Sequence, residues 1–577
     1  MVMASFSLQG DFPPASHQDW LAQLERILKG RSPDTLTTER PDGLRAAPVY
    51  DLGAAHPRAA LDARAKAWTI VQRADDPDPE RGHQQLMRDL EGGAGGIALV
   101  FAGAVSARGA GLSSEPADLT RLMEGVHAQM LRFRIEGSAG DLKRFSAHLG
   151  GHAEGTDIAW CPDPLTPDVL PGNVGLIADG RVWHDAGASD GQELGLTLAQ
   201  AAELLRALER GGEALETAAG RIQFLLSADS DIFGVIAKMR AMRLIWGRLT
   251  EAALGRARRT RVHAETSWRM MTARDVHSNM LRSGAAALAA AVGGADSITV
   301  LPFTAALGLP DHFARRVARN SQIILQDESG LALVNDPAAG SGAAEDLTSQ
   351  LAARAWAEFQ AAEQAGGLNA VLADGTLADG TIKAAISAHA DRLRRNVATR
   401  RQGLTGLSEF PDLGERLPQT LPFEPCPART PALAPLRLAE PFEALRSRAE
   451  ALGAAGRAGA VFMANLGGGF GPRAIWAANL LAAGGLTASG GQSFESPQQA
   501  GEAFAASGLA TACICGDDES YAAMAADTVK ALKAAGAVHV SLAGRPEAET
   551  GADQLLYQGC DVAAALNIIL DAEDALI

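Results

Sequence analysis

Residues 222–254 read IQFLLSADSDIFGVIAKMRAMRLIWGRLTEAAL, and two different periods meet within them. The opening IQFLLSAD (222–229) is an apolar, strand-like run. Past Asp231 the spacing changes: Ile236, Met239, Met242, Leu244, Ile245 and Leu249 recur at helical intervals and line one side of a helix. The methionines in that stripe read as core packing, because a flexible thioether at helical spacing fills gaps between neighbours. A strand followed directly by a long helix is the repeating unit of a parallel sheet.

The unit recurs on both sides. GIALVFAG (96–103) follows the helical HQQLMRDLEGG, and NVGLIADG (173–180) precedes ELGLTLAQAAELLRALERG. RVHAETS (261–267) and DSITVLPF (296–303) are also strand-like. Repetition of this kind over residues 41–400 predicts an α/β fold with a (β/α)8 TIM-type barrel. Ahead of it, residues 1–40 contain HQDWLAQLERILKG, with Trp20, Leu21, Leu24, Ile27 and Leu28 at helical spacing. Such a helix is expected to bury its apolar face on its own domain or on a partner.

Residues 401–455 change character. LPQTLPFEPCPARTPALAPLRLAEP (417–441) is dense in proline, which denies it sustained helix and ladder pairing, so an extended belt between two domains is expected. Residues 456–577 alternate again: AVFMANLG, PRAIWAANLLAAGG, ATACICG, ESYAAMAADTVKALKAAG, AVHVSLAG and VAAALNIILDAED. That order predicts a small flavodoxin-like domain whose ligand edge lies at the carboxyl ends of its strands.

Composition bounds the function. A chain of 577 residues exceeds one core and suggests about two to four domains. Hydrophobic residues make up 47%, which fits a globular protein. The formal charge of −16 argues against nucleic acid as a partner. Cys161, Cys426, Cys513, Cys515 and Cys560 form an odd, scattered set that fits a reducing cytoplasm better than a disulfide scaffold. Cys513 and Cys515 in TACICG are expected to point to one face of a strand as core thiols. MVMASFSLQGDFPP (1–14) has no basic or apolar region of a secretory signal, and no run of about 18 apolar residues predicts a membrane span.

VFMANLGGGFGPRA (461–474) is a strand, a glycine loop and a helix start, the usual ligand-holding turn of an α/β domain. Gly467 and Gly469 match a dinucleotide fingerprint, but Pro472 occupies its third glycine position. Gly471-Pro472-Arg473 also departs from a phosphate P-loop. Two readings remain: a backbone anion site at the helix N-terminus, or glycines that only permit a tight turn and close approach.

The stretch TSWRMMTARDVHSNMLRSGAAALAAAVGGADSITVLPFTAALGLPDHFARRVARNSQIILQDESGLALVNDPAAGS (266–341) resembles the late barrel segment of methylmalonyl-CoA mutases. The pieces that carry the resemblance are Asn279–Arg282, Gly293-Gly294, Ala318-Arg319-Asn320, Gln322–Gln326, Glu328-Ser329-Gly330, Asp336-Pro337 and Gly340-Ser341. AWTIVQR (67–73), HDAGASDGQELGLTLA (184–199) and FGVIAKMRAMRLIW (233–246) agree with it, and the likeness covers roughly 45–577. It implies a (β/α)8 barrel, a connecting belt and a C-terminal domain of cobalamin-binding type.

The resemblance also implies what this chain lacks. Active mutase chains carry Asp-x-His-x-x-Gly after the first strand of the C-terminal domain, where the histidine binds cobalt and the aspartate orients it. The matching positions here are Asn465, Gly467 and Phe470, and no histidine lies between 457 and 536. Cys515-Gly516-Asp517 stands where the family has Ser-x-Leu. The barrel's catalytic Tyr-His pair corresponds to Arg181 and Val182. His184 falls two residues later, a displacement of about 6–7 Å if the strand continues. His263 falls at a strand end, where it would line the barrel mouth, but a hydrogen-bonded structural histidine is the preferred reading; no tyrosine stands near AWTIVQR, where active chains have one that contacts substrate.

The chain therefore resembles the small, non-catalytic subunit of heterodimeric bacterial methylmalonyl-CoA mutase. That likeness implies no catalytic, cofactor-binding or metal-binding residue in this chain, with adenosylcobalamin held by a large-subunit partner that interconverts (R)-methylmalonyl-CoA and succinyl-CoA. A cobalamin-loading GTPase chaperone is a further expected partner of the pair. Two alternatives stand beside it: an acyl-CoA mutase active alone with base-on cobalamin, and a CoA-ester or chaperone docking module without catalysis.

Overall fold

The structure, a computed structural model, describes residues 15–50, 67–162, 172, 174–373, 381–425, 433–454 and 459–575; Cys426 and the segment 1–14 lie outside the described residues. Eight parallel strands form a closed barrel: β1 (Thr69–Ala74), β2 (Gly96–Val100), β3 (Arg132–Glu136), β4 (Asp157–Cys161), β5 (Gly175–Asp179), β6 (Ile222–Ala228), β7 (Val262–Thr266) and β8 (Ser297–Thr299). Closure comes from β8, which pairs with both β7 and β1.

Strand geometry sorts the side chains into two sets, because successive residues point to opposite faces. Ile97, Leu99, Phe133, Ile135, Phe224, Leu226 and Ile298 face outward into one continuous core with the surrounding helices. Ala159, Cys161, Ile177 and Leu225 form a separate small cluster on the inner face. The helix Ile232–Leu254 packs Ile236, Met239, Met242 and Ile245 into the outer core, as its stripe predicts, and Trp246 meets Phe224 edge-on with ring centroids 5.3 Å apart.

The N-terminal helix His17–Leu28 begins with a reciprocal cap between Ser16 and Asp19; it buries Leu24 and Leu28 and leaves Ile27 largely exposed. Past it, Thr38–Glu39 pairs with Arg45–Ala46. The turn between them is fastened to the barrel's helices: Gly191 N donates to Asp42, Arg40 pairs with Asp231, and Arg45 N donates to Gln350.

The proline-rich stretch is extended where described, bridging Leu421 to Leu309 and donating from Leu436 N to the Asp185 carbonyl at 2.6 Å. Its end departs from that pattern, since Glu440–Ala454 is a helix with Pro441 in the first turn, where a missing N–H is harmless. Arg448 of this helix pairs with Asp571 and Asp574 of the last helix, tying the belt to the C-terminal domain.

That domain contains β9 (Ala460–Leu466), β10 (Thr487–Ser489), β11 (Ser493–Phe494), β12 (Thr511–Cys515), β13 (His539–Ala543) and β14 (Gln554–Leu556). The parallel order β10-β9-β12-β13-β14, with β11 on β9, reverses direction between β9 and β12. Loops at the carboxyl ends of those two strands flank the switch-point crevice of a doubly wound sheet. Cys513 and Cys515 are buried on one face of β12 beside Met463, as the strand reading expects. No helix among the described residues is long and apolar enough to cross a membrane.

The helices Asp190–Arg210 and Gly342–Gln364 approach closely at Gly195, where an added Cβ would lie 2.7 Å from the Ala355 carbonyl oxygen and 3.0 Å from Phe359 N. Backbone atoms cannot step aside as a flexible side chain can, so Gly195→Ala is expected to destabilise the barrel by about 1–3 kcal/mol in urea unfolding. A change under a few tenths would show that the helices separate freely.

Candidate functional site at the barrel mouth

The inner face of the barrel carries charge. Arg134 on β3 donates from Nε to Glu136 at 2.7 Å, from Nη1 to Thr299 at 3.1 Å and from Nη2 to Glu265 at 2.6 Å. Arg181, just past β5, donates to Asp179, Glu136 and Glu265 at 2.8–2.9 Å through its two terminal nitrogens. Arg73 on β1 reaches Glu265 at 3.4 Å, Asp75 at 3.1 Å and the Ser106 carbonyl at 2.8 Å. These groups are buried, and strands on opposite sides of the barrel supply them. Burial alone would push the Glu136 carboxyl up, but Arg181, Arg134 and Arg73 outweigh it and hold that carboxyl well below the ordinary carboxylate range.

Above the network lies a cavity of about 620 Å³, bounded by the loops after β2 to β5 and by Trp268, Leu433 and Pro435. This is the carboxyl end of the strands, where barrels of this type hold ligands. Val182 lines the cavity, as do Arg108 and Asp185, which the sequence reading did not single out. The Arg108 guanidinium lies over the Trp268 ring, 4.1 Å from its centroid. Burial and the neighbouring Arg73 pull the Arg108 guanidinium down to about 10. Burial pushes the Asp185 carboxyl up to about 7, against Arg108, Arg181 and Arg269.

His184 sits elsewhere than the strand reading placed it. The chain leaves β5 at Asp179 and turns into the short helix Arg181–Asp185, so the two-residue offset does not run along a strand. Its Nε2 lies 2.7 Å from Ser267 Oγ and its Nδ1 3.2 Å from Glu193 Oε2. That order has the form of a nucleophile, base and carboxylate, yet His184 and Glu193 have no exposure and Ser267 is 1% exposed. Lys238 Nζ lies 2.6 Å from Asp190 and 2.8 Å from Glu193, so the cation of the His184, Asp190 and Glu193 cluster is an ammonium. Burial, Arg269 and Lys238 hold His184 neutral.

His263 is a hydrogen-bonded structural histidine, as the sequence reading preferred, and does not line the mouth. It is the second residue of β7, within the barrel, 2.7 Å from Ser297 Oγ and 2.8 Å from Gln223 Oε1. Burial lowers it to about 3, so it stays neutral as a bridging hydrogen-bond partner.

In the C-terminal domain, Asn465, the penultimate residue of β9, donates from Nδ2 to the Gln492 carbonyl at 3.3 Å. Gly467 has φ of 65°. A Cβ added there would collide with Ser520 Oγ, and one at Gly469 would collide with the Asp517 carboxylate. Phe470 precedes the helix Gly471–Ala483, whose Arg473 donates to the Gly516 carbonyl and pairs with Asp518. Asp517, Asp518 and Ser520 therefore close over the glycine loop from the next strand's turn. The Tyr521 hydroxyl donates to the Ala543 carbonyl at 2.6 Å, bracing the same turn against β13.

The sequence profile of methylmalonyl-CoA mutase matches residues 168–452. The chain is 38% identical to the methylmalonyl-CoA mutase small subunit of Streptomyces virginiae, across 98% of both chains. It is 33% identical to the small subunit of Propionibacterium freudenreichii subsp. shermanii, across 99% of this chain and 97% of that one. A probable small subunit of Mycobacterium bovis is 40% identical across 68% of this chain and 64% of its own. The chain belongs to the methylmalonyl-CoA mutase family. Of the two residues that the sequence reading set against the family's catalytic Tyr-His pair, Arg181 is saturated by three carboxylates and Val182 is an apolar wall of the cavity.

Glu265 is the hub of the network, since it receives Arg73, Arg134 and Arg181. Its replacement by Gln leaves buried guanidinium groups short of a counter-charge, and Glu265→Gln is expected to lose about 3–5 kcal/mol in chemical denaturation. A loss below about 1 kcal/mol would mean that water or remaining carboxylates already satisfy the arginines.

Proposed function

We propose that this chain is the non-catalytic small subunit of a heterodimeric methylmalonyl-CoA mutase. Its partner is a large subunit that binds adenosylcobalamin and interconverts (R)-methylmalonyl-CoA and succinyl-CoA in the cytoplasm. The observation that carries the reading is the filled barrel axis. A CoA thioester drawn along that axis would have to part Arg134 and Arg181 from Glu136 and Glu265, and breaking buried pairs of this kind costs about 3–5 kcal/mol for each group left alone.

The C-terminal loop supports the same reading. A cobalamin of the base-off kind needs an imidazole beneath the metal. Gly467 stands at that position, and Ser520 occupies the space a side chain there would need. The residues present do not fit that ligand set, so no step of the reaction is assigned to this chain. Its role is to hold the catalytic subunit, and the helix His17–Leu28 is proposed as an arm toward it.

The test compares this chain purified alone with the same chain co-expressed with its candidate large subunit. Cobalamin absorbance and methylmalonyl-CoA turnover are expected only in the pair, and removal of residues 1–40 should weaken co-purification. Stoichiometric adenosylcobalamin on the lone chain, or turnover by it, would overturn the reading. Unchanged assembly after truncation would remove the arm from it.

A further inference from the structure

The ion network at the barrel mouth balances and leaves two groups over. Arg73, Arg134, Arg181 and Arg315 face Asp75, Glu136, Asp179 and Glu265 in linked pairs between 2.6 and 3.4 Å. Arg108 and Asp185 line the adjoining cavity and stand outside this balance. Among the described residues, Arg108 is held by its stack on Trp268 and by no hydrogen bond or ion pair. The Asp185 carboxyl has its Oδ1 buried without a hydrogen-bond partner. The two side chains are not paired with each other.

A guanidinium held over an indole ring loses part of its freedom, and its fork of N–H groups suits a planar, two-oxygen acceptor. A buried carboxyl oxygen left unmatched carries a desolvation cost that packing does not offset. One molecule spanning the two groups would satisfy both. The cavity, at about 620 Å³, is of the size that holds small ligands. Val105, Val182, Leu433 and Pro435 give it apolar walls for a short carbon chain. Glu136 and Asp179 in the lining already hold Arg181, so Arg108 is the lining guanidinium outside the network, a match for one carboxylate better than for a phosphate dianion.

We propose that this cavity binds a small carboxylic acid bearing a hydroxyl or amino group, with the carboxylate on Arg108 and the second polar group on Asp185. Binding of such a molecule does not depend on whether the chain serves as a non-catalytic subunit, and the assay below reads no turnover.

The experiment is isothermal titration calorimetry of the full-length chain with L-lactate, L-alanine, acetate and inorganic phosphate. L-Lactate or L-alanine is expected to bind at least about tenfold tighter than acetate or phosphate, and whichever binds identifies the second group as hydroxyl or amine. Arg108→Met retains a side chain on Trp268 and is expected to weaken binding at least about tenfold. Asp185→Asn is expected to remove the preference over acetate; its thermal melt and that of Arg108→Met establish that each variant is folded. Absence of binding by both acids, equal binding of acetate or phosphate, or wild-type affinity in folded Arg108→Met would overturn the proposal.

Discussion

Everything at the barrel mouth follows from Glu265 receiving three arginines inside a closed barrel. A parallel barrel must fill its axis or lose dispersion contacts along its inner face, since protein interiors pack as densely as organic crystals. Here β4, β5 and β6 fill their share with Ala159, Cys161, Ile177 and Leu225, while β1, β3 and β7 supply Arg73, Arg134, Glu136 and Glu265. The guanidinium groups are long enough to cross the axis and meet carboxylates from other strands. Their planar forks then fix the geometry of each contact. Aliphatic side chains of equal volume would stabilise the barrel as well or better. The charges add a polar floor to the cavity above, against which Arg108 and Asp185 stand unmatched.

The C-terminal domain reaches a similar end by a different route. Its doubly wound sheet places two loops at the switch point, the usual position for a ligand. The glycines of NLGGGF let the turn of the next strand come close, and Asp517 and Ser520 take up the room that side chains would need. Asp517 accepts from Ser520 N at 2.8 Å, capping its own short helix, so the same carboxylate shapes one turn and covers its neighbour. Of the two readings open for the glycine loop, close approach is the one with observed contacts.

Much of this architecture was legible because outward-facing residues repeat regularly. β2 and β6 are apolar runs, and the stripe on Ile232–Leu254 points into the core as its spacing requires. β3 reads RFRIE, with charge at every second position, which in an open sheet would mark a solvated face. Arg134 is buried because Glu265 and Thr299, far along the chain, return beside it on closure. No local period carries that information. β10, β11 and β14 are two or three residues long and leave almost no pattern. The displaced placement of His184 has a nearer cause: the strand ends at Asp179, and a helical turn re-aims every side chain after it.

The cluster around His184 shows why residue types alone are weak evidence for chemistry. Histidine, two carboxylates and a serine within reach of one another suit a metal or a nucleophile relay. Lys238 decides between those uses and neither. Burial disfavours its charge, yet Asp190 and Glu193 raise it above an ordinary lysine, so the ammonium is the resident cation of the site. Glu193 accepts from Lys238 and from the Ser227 amide, so its oxygens are shared and not reserved for the imidazole. With Ser267 enclosed, no substrate carbonyl reaches its oxygen. The same atoms on an open surface would be a candidate active centre; here they pin the short helix Arg181–Asp185 to Asp190–Arg210, and that anchorage sets where Arg181 and Asp185 stand at the barrel mouth.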